Sequence, residues 1–243
     1  MSHYSDIGFK VNSNEDVIEL FNKIKTNKEN SPMIWELEIN EEREVILAMH
    51  KLGEIRYFAK LDNKNNELLE ISLGHHNEKV TKMDILHINY EVSAGFPVLQ
   101  LEKNEIPFWF ECPNVEVFNM EGEQDCEIRI SSFANKVFIK NPDEKVDLPG
   151  LKISLADEAY IANWQHDPSV ALLSGYITGY KKEKNIISGR SYYAIDVECL
   201  GLNIKMVVDI NYLKEEDIIP GKVIYGDFWN VAILVADNHP EYF

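Results

Sequence analysis

The sequence predicts an α+β protein, with an antiparallel or mixed β-rich amino-terminal domain carrying one packed helix, followed by a small β-barrel. Three observations carry this reading. A helical stripe, Val17, Leu20, Phe21 and Ile24, opens the chain. Strand-like runs then succeed one another with turn residues between them. In the last third, glycines 175, 179, 189, 201, 221 and 226 punctuate long strand candidates, as barrel corners and bulges require.

The elements follow in order. "DIGFKV" alternates Ile7, Phe9 and Val11 on one face, the two-residue period of a half-buried strand. Ser13 is the expected N-cap, and Asp16, three residues on, completes a variant capping box. "MIWELEI", "EVILAMHKL", "IRYFAKLD" and "ELLEISLG" read as successive strands, with a polar turn over Asp62 to Asn66 between the last two. "ILHINYEV", "FPVLQLEK", "PFWFEC", "CEIRISSF" and "KVFIKN" continue the β pattern, and Pro97 marks an edge or a strand start. The polar, proline-bearing "KNPDEKVDLPG" suggests a boundary, and "SLADEAYIANWQ" a short bridging helix. The expected organisation is an α+β domain over 1–140, a linker and short helix over 141–165, and a barrel domain over 166–243.

Composition bounds the function. The formal charge is -17 at pH 7. Such a field repels phosphate backbones and acidic membranes and steers towards basic partners. No apolar run approaches the roughly 18 residues that span a bilayer, and "MSHYSD" has neither a basic nor an apolar signal region, so a cytoplasmic protein is expected. Cys112, Cys126 and Cys199 are an odd, widely spaced set, read as reduced, buried small hydrophobes.

Several resemblances attach to these patterns. The strand-helix-strand-strand-strand order of about the first 75 residues is similar to half-modules of the vicinal-oxygen-chelate fold; this resemblance implies a metal-binding histidine on the first strand, near His3, and a role for Glu70 on a later one. A second such module is not found in residues 77–140. Residues 172–236, closed by a late "GKVIYGDFW" strand, resemble a small OB-like barrel. The opening "SHYSDIGF" and closing "GKVIYGDFWN" resemble a family of uncharacterised bacterial proteins over nearly the whole chain, a resemblance that implies no function.

Candidate sites are few. "GHHNEKVTKMDILHI" gathers three of the seven histidines, and Glu70, His75, His76 and His87, with His3 or His50, could supply a divalent metal with imidazole and carboxylate ligands. Against this, adjacent residues of an extended chain point to opposite faces, and no H-x-x-x-H spacing is present. His166-Asp167-Pro168 reads as a turn. Serine-nucleophile and phosphate-loop signatures are absent, so nucleotide-dependent chemistry has no support in the sequence. Tyr176, Tyr180, Tyr192 and Trp229 could offer a stacking surface to single-stranded nucleic acid, beside "YKKEK", although the overall charge opposes it. The expectation is a non-enzymatic protein that binds a macromolecule, such as a basic protein met by an immunity-like acidic one. A metal-binding protein or metal-dependent enzyme and an OB-type nucleic-acid binder are the alternatives.

Overall fold

The computed structural model describes residues 7–9, 11–40, 43–90, 96–118, 124–146, 156–163 and 167–235. These residues form a β-rich α+β fold with one α-helix and two sheets. Helix α1 (Asn14–Lys25) starts as its sequence dictates. The Ser13 hydroxyl accepts from the Asp16 backbone N–H, and the Asp16 carboxylate accepts in return from the N–H groups of Ser13 and Asn12. Ile7 to Phe9 form a turn and not the expected strand, because Gly8 sits at φ 89°, outside extended backbone.

The first sheet is an antiparallel meander of β1 (Met33–Asn40), β2 (Arg43–Leu52), β3 (Ile55–Asp62) and β4 (Leu68–His75). One face takes α1, with Leu20 and Ile24 against Tyr57, Ile71 and Leu73, and Phe21 against Ala59 and Leu61. The opposite face, bearing Phe58 and Gly74, packs on the second sheet. There a Cβ on Gly74 would lie 2.6 Å from the Ile233 side chain.

The second sheet holds nine strands: β5 (Thr81–Asn89), β6 (Val98–Lys103), β7 (Ile106–Glu111), β8 (Gln124–Lys140), β9 (Ala159–Asn163), β10 (Asp167–Lys184), β11 (Ser191–Cys199), β12 (Leu202–Asp209) and β13 (Val223–Leu234). Its centre is the long antiparallel pairing of β8 with β13, from Ile128↔Leu234 to Lys140↔Val223. On its other edge β8 pairs first with β5, over Gln124–Ile128, and then in parallel with β12, over Ile130–Phe133. Strand β13 repeats this, pairing with β10 over Val223–Trp229 and then in parallel with β7 at Val231.

The pairings therefore close twice. One ring runs β10-β11-β12-β8-β13 and the other β5-β6-β7-β13-β8, and the two share the β8–β13 seam. Each half of the chain supplies a three-stranded meander and one long strand, so the pattern has a pseudo-twofold repeat. The tight turns agree. The β6–β7 hairpin turns at Asn104 (φ 53°) and Glu105 (φ 64°), and the β11–β12 hairpin at Leu200 (φ 50°) and Gly201 (φ 78°). Two successive positive φ values give the two-residue turn whose twist matches antiparallel strands. The two turns lie against each other, a Cβ on Gly201 being 3.5 Å from the Asn104 side chain.

This arrangement corrects two expectations. Among the described residues β10 to β13 do not close a ring by themselves, since β8 from the 1–140 segment completes it, and one sheet runs through both segments. Residues 159–163 form strand β9 and not a helix. The free edge of β10 provides a ladder from Ala159↔Ser174 to Asn163↔Asp167, and Tyr160 packs inward on Phe108, which together override local helix propensity. "CEIRISSF" and "KVFIKN" are one strand, and Pro97 precedes β6, as a strand start should. All three cysteines are buried and free; burial pushes the Cys126 and Cys199 thiols up to about 12 and Cys112 upward as well. Among the described residues no helix is long and apolar enough to cross a membrane.

Gly226 sets how closely the seam strands approach, because a Cβ there would fall 1.9 Å from the Lys136 carbonyl oxygen. Gly226→Ala is expected to lower the stability measured by urea denaturation by about 1–3 kcal/mol. An unchanged midpoint would contradict this packing of β13 on β8.

Candidate functional site

The four residues expected to bind metal do not share one environment. Glu70 and His75 are both on β4 but five residues apart, so the pleat points them to opposite faces. His87 is exposed on β5, in the other sheet. His76 is half-buried, and burial, followed by the nearby Arg56, lowers its pKa. His50 faces α1, its ring edge-on to Phe21 and its Nδ1 2.9 Å from the Asn30 side-chain oxygen, and burial lowers it to about 4. His3 and His166 lie outside the described residues. Among the described residues, no three His, Cys, Asp or Glu side chains are arranged to hold a metal ion.

His75 instead fastens the first sheet to the carboxy-terminal ring. Its Nδ1 lies 2.6 Å from the His76 carbonyl oxygen and its Nε2 2.9 Å from Glu183 Oε2, so both nitrogens face acceptors. The Tyr192 hydroxyl donates to the same Glu183 oxygen at 2.7 Å. Burial raises the Glu183 carboxyl, but the hydrogen bond and charge of His75, with the Tyr192 hydroxyl, bring it below the usual carboxylate range. Tyr57 accepts from Asn185 at 2.9 Å beside this group.

A second polar group lies under β4. The Ser72 hydroxyl donates to Glu111, and Trp229 bonds the same carboxyl. Glu111 is 5% exposed, and burial pushes it up to about 8 despite those bonds; Glu70 and Asp167 add repulsion. Burial likewise raises Glu70 to about 7, opposed by the Lys60 charge. Lys60 itself is paired with Glu116 at 2.9 Å. Ser72 and Glu111 join the two sheets, and the group is enclosed, so its chemistry is that of a clamp.

Of the four aromatics expected to stack on a ligand, Trp229 and Tyr192 are in the core. Tyr176 and Tyr180 are half-buried. The Tyr176 hydroxyl meets Asp157 at 3.3 Å, and Tyr180 packs edge-on against Tyr193.

The most distinctive surface is the outer face of the amino-terminal ring. Cross-strand register places Pro107, Glu102, Asp84 and Asp125 in one row across β7, β6, β5 and β8. Directly opposed side chains share a face about 5 Å apart, where like charges destabilise a sheet. The Asp84 carboxyl is raised above its ordinary range, by its hydrogen bond to Asp125 first, then by burial and by the Asp125 charge. The adjoining row sets half-buried Trp109 beside Gln100 and exposed His87. On the other side, Lys82 pairs with Glu127 at 3.3 Å. Exposed Leu86 lies at the bulge between Ile85 and His87.

The sequence pointed to His87 alone among these residues. Asp84, Glu102 and Asp125 come together only through strand register, and no local spacing announces that. Comparisons with protein-family models, curated proteins and solved structures found no match.

The buried acids have a measurable consequence. A carboxyl raised in the folded state stabilises fully below its unfolded value near 4.5, and the contribution is lost as pH rises through the folded value. For Glu111 that window runs from about 4.5 to about 8. Glu111→Gln removes the titration while keeping a group that can accept from Ser72. Relative to wild type, its unfolding free energy should rise by on the order of 2 kcal/mol between about pH 5 and pH 8. Thermal denaturation of both proteins at the two pH values checks this, and parallel pH profiles would rule it out.

Proposed function

We propose that this is a non-enzymatic binding protein whose partner is a basic protein, docked on the outer face of β5–β8. The observation that carries the reading is the row of Glu102, Asp84 and Asp125. Three carboxylates in direct cross-strand register work against the stability of the free protein. Lysine or arginine side chains of a partner would relieve that repulsion. The net charge of -17 steers such a partner from a distance. Trp109 and Leu86 supply the apolar contact that protein interfaces centre on, with the acids and Lys82 around them. An immunity-like role, in which an acidic protein masks a basic one, is a concrete form of this function.

An OB-type nucleic-acid binder is the second reading, supported by one observation. The ring β10-β11-β12-β8-β13, a meander closed by a parallel and an antiparallel partner, has the pairing order of an OB-like barrel with its last strand drawn from earlier in the chain. The surface aromatics weigh against nucleic acid, since Tyr176 sits on Asp157, and Tyr180 packs on Tyr193 beside Glu215.

The test replaces His87 with a photo-crosslinking amino acid and identifies what is captured in the native cell. The expected product is a basic protein whose affinity falls with salt. The Asp84→Asn/Asp125→Asn/Glu102→Gln variant should bind it at least tenfold more weakly while melting at a higher temperature than wild type. Equal affinity in the variant would overturn the assignment, and capture of nucleic acid would favour the second reading.

A further inference from the structure

A cleft of about 400 Å³ opens where Gly8, Phe9 and Val11 meet helix α1 and the turn between β10 and β11. Its apolar lining is Phe9, Val11, Leu20 and Ile187. Its charged lining is Asp16, Glu19, Lys23 and Arg190. Three of these four are already committed. Asp16 accepts the N–H groups of Asn12 and Ser13, and Lys23 is paired with Glu19 at 2.7 Å. Arg190 has no carboxylate partner among the described residues, in a chain where acids outnumber bases 41 to 24.

The position of Arg190 is built. A Cβ on Gly8 would lie 2.7 Å from Arg190 Cβ and Cδ and 2.8 Å from Ser188 Oγ, so only glycine lets the arginine stem lie against this backbone. Gly8 also holds φ 89°, which other residues rarely adopt. Ser188 is fixed by its hydroxyl, which donates to the Ile7 carbonyl oxygen at 2.7 Å. The first described residues and the β10–β11 turn are thereby tied together beside the stem of Arg190, which is exposed.

We propose that this cleft binds a small organic monocarboxylate, its carboxylate paired with the Arg190 guanidinium and its apolar body on Phe9, Val11, Leu20 and Ile187. A guanidinium offers two parallel N–H donors that match a carboxylate. The volume falls in the range of small-molecule sites. Asp16 and Glu19 on the same lining disfavour a phosphate, whose second negative charge would face two carboxylates. The apolar lining selects a ligand with a hydrocarbon chain or ring over acetate or formate.

The experiment titrates the full chain with octanoate, benzoate and inorganic phosphate, followed by calorimetry and by amide chemical shifts. The expected result is saturable binding of octanoate or benzoate, with shift changes centred on Phe9, Leu20, Ile187 and Arg190, and no saturation by phosphate. Arg190→Gln should weaken the carboxylate at least tenfold, Arg190→Lys by less, and Lys23→Gln by under twofold. No saturation by either carboxylate, shift changes away from the cleft, or full affinity in Arg190→Gln would overturn the proposal. The wild-type shift map decides the location even if a variant fails to fold.

Discussion

The antiparallel pairing of β8 with β13 is the constraint on which the rest of the molecule depends. Both rings close through it, and the first sheet packs on it through Phe58, Gly74 and Ile233. Its register is therefore the one quantity that cannot slip, since a one-residue shift would turn every seam side chain to the wrong face. Polar side chains fix it from inside. Ser132 and Asn230 are register partners whose side chains bond at 2.6 Å, and Asn230 donates onward to the Ser169 carbonyl oxygen at 3.0 Å. Asn114 both donates to the Leu234 carbonyl and accepts from its N–H, holding the end of β13. Buried groups satisfied in this way specify one arrangement, because any other leaves them unpaired in an apolar core.

The same logic separates the acids of the interior from those of the surface. Glu111 is buried and Glu183 half-buried, and each ties the first sheet to the second, one through Ser72 and the other through His75. They resolve their burial in opposite ways. Among the described residues Glu111 has no cation against it and is driven towards the neutral form, whereas Glu183 has an imidazole and is held ionised. Outside, the carboxylates of β5, β6 and β8 face water with little to balance them.

Much of the local structure was legible in the sequence. The Ser13–Asp16 capping box, the α1 stripe, the four-strand meander after it and the strand start after Pro97 all follow from short-range patterns. The vicinal-oxygen-chelate order was legible only as an order: residues 7–9 form a turn at Gly8, and His3 lies outside the described residues. What the sequence did not reveal is non-local. Alternating apolar residues in β8 are compatible with many partners, and nothing in "CEIRISSF" states that it pairs with β5, β12 and β13 in succession. The repeat of the two meanders is hidden for the same reason, since Asn104-Glu105 and Leu200-Gly201 adopt the same turn with unlike residues. The histidines of "GHHNEKVTKMDILHI" misled by proximity: one ends β4, one follows it, and one sits in a different sheet.

The shared seam also governs the order in which the molecule can be completed. Strand β8 ends at Lys140 and β13 begins at Val223, so a chain emerging from the ribosome displays all of β5 to β8 while the strand that closes their ring is still unmade. Through that interval one edge of β8 is open along its length, with Ile128, Ile130 and other core side chains exposed to whatever is near. Each ring is completed by a strand from the other half of the chain. The nascent protein thus passes through a stage in which association with a second chain offering the same strand would satisfy it as well as its own, and exchange of β13 between two molecules is the assembly error that this architecture invites.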